Sequence, residues 1–449
     1  MDGQSAVAGG RTRTFFGEPF GLAYLSFTEL WERFSYYGMT ALLTLYMTQQ
    51  LLLPGHVENI AGFAAFRAAL EGVFGPYTTV ALASQIMGLY TGFVYFTPVL
   101  GGIIADRFIG RRPAVMLGAV LMSLGHFAMA FDQSFLLALF LLITGCGLLK
   151  GNISAQVGAL YSESDSTGRT RGFSIYSMAI NVGAMAGPLA CGLVAQIYGW
   201  HAGFGLAGVL MLFGLVTYVV GYRALVEPAP VHVAAAPVQG PGEARVIFAL
   251  IAVMALTIFH SIAYYQNSNI GLIWIDAHVD LNFFGLQFPV PWFNSIDPFI
   301  SIVFVPVLIV LWKWQQSHGG EPNEIVKISQ GAAIAAVANL FLVAAALISD
   351  RANVLFPVIY DVLLGVAFLF YWPTLLALVS RAASAKLKAT LMGTAFLSLF
   401  VSNILVGWIG TFYEQLGPVS FWSLQAAIAG FGAVLALVLA KPLGRILQA

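Results

Sequence analysis

Apolar runs of about 20 residues, the length that carries an α-helix across a bilayer, recur along almost the whole of this sequence. Twelve can be placed, at about 24–50, 81–105, 113–131, 135–161, 172–198, 203–222, 246–275, 291–314, 328–348, 353–379, 389–413 and 419–440. They are too long for the strands of a membrane barrel and do not alternate, so helices are expected and strands are not. Of 449 residues, 59% are hydrophobic and 9% charged. A soluble domain carries about 25% charged residues, so this chain lacks the polar surface to face water on all sides. Twenty Lys+Arg balance twenty Asp+Glu, which leaves no basic excess for nucleic acid. The expected fold class is an all-α membrane protein of twelve transmembrane helices, embedded in a lipid bilayer.

Short cytoplasmic loops collect Lys and Arg. With twelve spans, one side receives Arg11, Arg13, Arg107, Arg111, Arg112, Arg169, Arg171, Arg223, Arg245, Lys313, Lys327, Arg381, Lys386, Lys388, Lys441 and Arg445, sixteen of the twenty. The other side receives only Arg67 and Arg351. Both termini are therefore expected in the cytoplasm. The opening segment lacks an apolar run ending in a cleavage site, so no secretory signal is expected, and the multi-pass chain is assigned to the cytoplasmic (inner) membrane. The stretch VEPAPVHVAAAPVQGPGEA between spans six and seven reads as a flexible linker. It divides the chain into residues 1–225, a cytoplasmic linker at 226–244, and residues 245–449. Residues 51–80 and 276–291 form extracytoplasmic excursions, the first with room for a short interfacial helix. Two six-helix bundles around a central cavity are the architecture of a secondary transporter.

Charges inside the apolar runs sharpen that reading. In span one, Glu29, Glu32, Arg33, Tyr36 and Tyr37 fall on one helical face, and Glu29 and Arg33 can pair at i,i+4. Span four adds Lys150 and span eight Asp297; Asp361 in span ten either joins them or sits near the outer mouth. Each ionised group at mid-membrane costs about 2.5–3.5 kcal/mol, so five left unpaired would cost roughly 12–18 kcal/mol. They must face one another or water. An ion-pair core built only for stability would be better made of apolar groups, so a transport cavity with a proton relay is the stronger reading. Three acids against two bases leave one surplus negative charge, which a proton can neutralise.

Polar and aromatic residues on other spans could line the same cavity: Tyr95, Asn152, Asn181, Tyr264, Tyr265, Gln266, Asn294 and Trp372. For each, helix packing or interfacial anchoring is the alternative; Asn181, inside NVGAMAG, is the strongest. His260 and the two cysteines, Cys146 and Cys191, read as core residues. No intramembrane nucleophile–base set, metal-ligand spacing or phosphate-binding loop occurs, so neither enzymatic chemistry nor a metal site is expected, and nucleotide-driven transport is set aside.

The motif Glu29-x-x-Glu32-Arg33-Phe34-x-Tyr36-Tyr37-Gly38 resembles the first helix of the proton-dependent oligopeptide transporters, a branch of the major facilitator superfamily. The loop from Gly102 to Arg112 resembles the superfamily's loop between helices two and three. GLLKGNIS (147–154), GFSIYSMAINVGA (172–184) and PWFNSIDPF (291–299) resemble the fourth, fifth and eighth helices of the family. The matches are strong over about 20–225 and weaker beyond. The resemblance implies a symporter that imports di- and tripeptides with protons by alternating access, working as a monomer with no cofactor beyond the coupling proton. Glu29, Glu32 and Arg33 would couple the proton. Arg33, Lys150, Tyr36, Tyr37, Tyr95 and Asn181 would hold the peptide's carboxylate and backbone. Asp106, Arg107 and Arg111 would lock helix ends. The same family fold also serves carriers of nitrate or another small organic anion, which two cations would suit.

This sequence departs from the family pattern. Tyr265-Gln266 stands where a helix-seven glutamate is frequent, FLFYWP where helix ten often carries a glutamate for the peptide amine, and Asp297 where Asn is usual; Ser177 replaces an aromatic residue. Asp297 is therefore expected to replace the missing helix-seven acid as the partner of Arg33. Asp297, Asn294 and Gln266 are the candidates for the peptide amine. The linker at 226–244 is too short for the two extra helices of some bacterial members.

Overall fold

The computed structural model describes residues 14–162, 165–225, 240–283, 285–384 and 387–448. Arg11, Arg13, Lys386 and the linker as far as residue 239 lie outside the described residues. Helices α1 (Gly21–Tyr46), α2 (Phe63–Phe74), α3 (Thr79–Ile104), α4 (Arg111–Ala128), α5 (Phe135–Ala159), α6 (Ser166–Tyr198) and α7 (Trp200–Gly221) are followed by α8 (Gly240–Tyr265), α9 (Ile270–His278), α10 (Ile296–Ser317), α11 (Glu324–Ile348), α12 (Leu355–Ala382), α13 (Lys388–Gly410) and α14 (Tyr413–Gln448). Among the described residues, ten helical segments are long and apolar enough to cross a membrane. The spans expected at 24–50 and 113–131 correspond to α1 and α4, which fall outside the ten. Charge explains both: α1 carries Glu29, Glu32 and Arg33, and the 18-residue α4 opens on Arg111-Arg112.

Side-chain caps set several helix starts. Thr78 accepts from the Ala81 amide, Asp165 from Gly168 and Asn323 from Val326, each satisfying a first-turn donor. The expected span at 246–275 is broken. Helix α8 stops at Tyr265, a 3-10 turn covers Gln266–Ser268, and α9 resumes at Ile270. Helix α14 turns at Gly417, whose φ of 72° suits glycine and precedes Pro418. The excursion at 51–80 contains α2, and the one at 276–291 a two-residue hairpin pairing Asn282–Phe283 with Leu286–Gln287.

One buried apolar cluster draws only on residues between Leu22 and Leu225; two others draw, Leu45 apart, on residues from Ala249 onward. Glycine allows the closest helix approaches. A Cβ on Gly183 or Gly187 of α6 would lie 2.3 Å from the carbonyl oxygen of Leu30 or Phe34 in α1. The small-residue stretch NVGAMAG thus presses the charged helix against α6.

The helix ends that carry most of the arginines and lysines define a basic end. Contacts between the first six and last six expected spans gather away from it. Gln49 Nε2 donates to Asp276 Oδ2 at 2.7 Å, and Asn269 Nδ2 to Ser84 Oγ at 2.8 Å. Gln196 reaches the Gln287 carbonyl, and Trp292 Nε1 the Leu189 carbonyl. Helices α3 and α13 cross at Gly88, where a Cβ would lie 2.4 Å from Gly407 Cα.

Candidate functional site

Helical spacing places Glu29 one turn before Arg33, with Glu32 beside it. Arg33 Nε lies 3.1 Å from Glu29 Oε1 and closer still to Glu32. All three are buried, with 2%, 0% and 3% of their surfaces exposed for Glu29, Glu32 and Arg33. The guanidinium also sits 5.5 Å from the Tyr36 ring centre, and Tyr36 meets Tyr37 edge-on and stacks on Tyr90. One cation therefore serves two carboxylates.

Lys150 of α5 is half-buried, and its ammonium lies 4.5 Å over the Tyr95 ring. Among the described residues no carboxylate comes within ion-pair distance of it. A cation held by an aromatic face keeps its charge available for an incoming anion. The Tyr95 hydroxyl is 3.3 Å from that of Tyr265, a polar contact across the gap to α8.

The partnership expected between Arg33 and Asp297 is not formed. Asp297, in the first turn of α10, accepts from the Tyr264 hydroxyl and, at 3.5 Å, from Ser301. The reason is proximity along the chain: Arg33 has two acids on its own helix, whereas Asp297 lies across the interface. Tyr37 lies within electrostatic range of both Arg33 and Asp297. Asp361 joins the Asp297 region. It is 2% exposed, its Oδ2 has no partner among the described residues, and Gly365 one turn on packs against the Asp297 carbonyl.

The other expected residues divide. Asn181 is half-buried and donates to the Ser177 carbonyl of its own helix. Asn294 is half-buried in the turn before α10, and Trp372 packs edge-on to Phe396. Gln266 is fully buried and donates to the Val406 carbonyl at 3.0 Å. It ties the α8 break to α13, and a ligand does not reach it in this conformation. Asp106 and Arg111 form a two-bond pair at 2.8 and 3.3 Å, while Arg107 is exposed. Arg112, which the sequence did not single out, bonds the Tyr222 carbonyl and lies 3.9 Å over its ring. His260 is buried against Tyr264 and Tyr371, and both cysteines are buried and free.

Two features escaped the sequence. Tyr176 of α6 lies 3.4 Å from the Ser154 hydroxyl and close to Glu29; its place inside the fifth-helix motif was the available signal. The Gln49–Asp276 bond carried none, because both residues sit at span ends where polar side chains are ordinary.

The sequence model of the POT family matches residues 112–232 and 225–422. The uncharacterized transporter YclF of Bacillus subtilis (strain 168) is 28% identical, over 96% of this chain and 95% of its own. The di-/tripeptide transporter of Lactococcus lactis subsp. cremoris is 27% identical, over 96% of this chain and 97% of its own. A crystal structure of the peptide transporter POT in complex with sulfate superposes with a TM-score of 0.85 at 25% identity, covering 98% of each chain.

Proposed function

The chain belongs to the POT family of transporters and has the major facilitator superfamily fold, and from that premise we propose that it imports di- and tripeptides together with protons. The observation that carries this reading is the contrast between two cations: Arg33 is occupied by Glu29 and Glu32, whereas Lys150 lies over the Tyr95 ring with no carboxylate at ion-pair distance among the described residues. The peptide carboxylate would first engage Lys150. A proton arriving on the Glu29–Glu32 pair would then weaken its hold on Arg33 and free the guanidinium for the same carboxylate. Phenols of Tyr37, Tyr95 and Tyr265 suit the peptide backbone, and apolar walls tolerate many side chains.

With the basic end cytoplasmic, as the loop charges indicate, contacts between the halves gather at the extracytoplasmic end. That supports an inward-facing conformation of two bundles, residues 1–225 and 245–449, that rock about the central site. The proposed location is the cytoplasmic membrane, with both termini inside.

The test is uptake of labelled dialanine into liposomes containing the purified protein, with and without an inward proton gradient. Accumulation that collapses with an uncoupler is expected. Absence of gradient-driven uptake by intact protein, with nitrate uptake in its place, would reassign the chain to an anion carrier.

A further inference from the structure

At the end opposite the basic one, a cavity of about 270 Å³ lies between the two halves. Both halves wall it: Leu45, Gln49, Gln196 and Trp200 from the first, Asp276 and residues 287–291 from the second. Two bonds between the halves border it, Gln49 Nε2 to Asp276 Oδ2 at 2.7 Å and Gln196 Nε2 to the Gln287 carbonyl at 3.1 Å. Among the described residues, Asp276 is the one charged group on the wall, and it is exposed. It accepts from a neutral amide, and a carboxylate has about four acceptor sites, so most of its capacity remains. Gln49 and Gln196 donate to these bonds and keep their side-chain oxygens as acceptors. The rest of the wall is apolar: Leu45 and Val290 are buried, and the rings of Trp200 and Phe288 are half-buried.

We propose that this cavity binds a small primary amine with an apolar body, and that the bound amine holds the two halves together at this end. The side-chain oxygens on the wall are acceptors and their net charge is negative, so an ammonium with three N–H groups suits them. The rings of Trp200 and Phe288 suit its hydrocarbon body. An anion meets Asp276 with no base to offset it. A zwitterionic peptide is disfavoured for the same reason, since among the described residues no Lys or Arg on the wall receives its carboxylate. The cavity is whole only while the halves are closed here, because Gln49 and Asp276 separate when they part. A ligand that binds one state alone shifts the population toward it, so the amine stops the cycle with this end closed. That effect rests on the rocking of the two halves and is independent of the solute carried.

The experiment adds phenethylamine to the full-length protein in nanodiscs and reads binding by isothermal titration calorimetry, with empty discs subtracted, and by hydrogen exchange. Phenethylamine should bind about tenfold tighter than phenethyl alcohol, its neutral counterpart, the scale of one charge-assisted hydrogen bond. That advantage should vanish in Asp276→Asn. Exchange should slow on both walls, at residues 47–51 and 276–282, because the site spans the halves. The amine and the alcohol are compared on the unaltered protein, so the test holds even if the variant fails to fold. Equal binding of the two, an unchanged advantage in folded Asp276→Asn, or slowing on one wall alone would overturn the proposal. So would equal or tighter binding of the N-trimethyl analogue, which has the charge but no N–H. Loss of amine binding in millimolar calcium would also overturn it and assign Asp276 to a metal ion.

Discussion

Two sets of intramembrane charges face each other across this molecule and are built differently. On α1 and α5, Glu29 and Glu32 share Arg33 while Lys150 rests on Tyr95. On α10 and α12, Asp297 and Asp361 have no cation beside them among the described residues; Asp297 takes hydroxyl donors and Asp361 Oδ2 takes none. The first set holds as many bases as acids, and its ion pairs form within one helix. The second is all acid. A balanced set can stay charged in a low dielectric, but an all-acid set needs protons or an incoming cation. On the proposed function, the two sets would serve different tasks: holding a carboxylate on one side, and meeting a proton or the peptide ammonium on the other.

The largest effects should come from the cations, and they should differ in kind. Arg33→Ala strands two buried carboxylates, so it should lose uptake and also destabilise the fold by about 3–5 kcal/mol. Lys150→Ala removes a cation that has no carboxylate partner among the described residues. It should lower uptake about 100-fold, the worth of two lost charge-assisted contacts, while leaving the melting temperature close to wild type. Full proton-driven uptake by Lys150→Ala would erase the distinction between occupied and available cation.

The carboxylates come next. Glu32→Gln should abolish accumulation against a gradient yet permit exchange of labelled for unlabelled peptide, measured in the same liposomes. Loss of exchange as well would make Glu32 a structural partner only. Asp361→Asn removes a buried acid whose Oδ2 has no partner among the described residues, so thermal unfolding should show a gain of about 1 kcal/mol; a loss of stability would mean that the all-acid description of that side is wrong. The smallest effect belongs to the opposite end of the bundle. Gln49→Ala deletes one bond between the halves, worth about 0.5–1.5 kcal/mol, and should raise hydrogen exchange in α9 without preventing uptake.

Much of this was legible in the chain itself. Apolar runs near 20 residues make helices because a bilayer leaves backbone groups no other partner. The i,i+4 spacing of Glu29 and Arg33 sets their pairing, since it depends only on helical periodicity. The close crossing of NVGAMAG on α1 was not among the expectations drawn from the chain, although only small side chains allow one. The helix break after Tyr265 was not legible: Gln266 looked like a cavity residue, yet its amide is spent on the Val406 carbonyl 140 positions away.

What the tertiary structure alone decided is which charge meets which across helices. Asp297 could have reached Arg33, Lys150 or neither, and it settled on Tyr264 and Ser301. Gln49 and Asp276, ordinary span-end residues in the sequence, became facing walls of one cavity. Contacts within a helix follow from a repeat of 3.6 residues that every sequence shares. Contacts between helices depend on each helix's rotation and on how the two halves lean together, and those follow only from packing the whole chain at once.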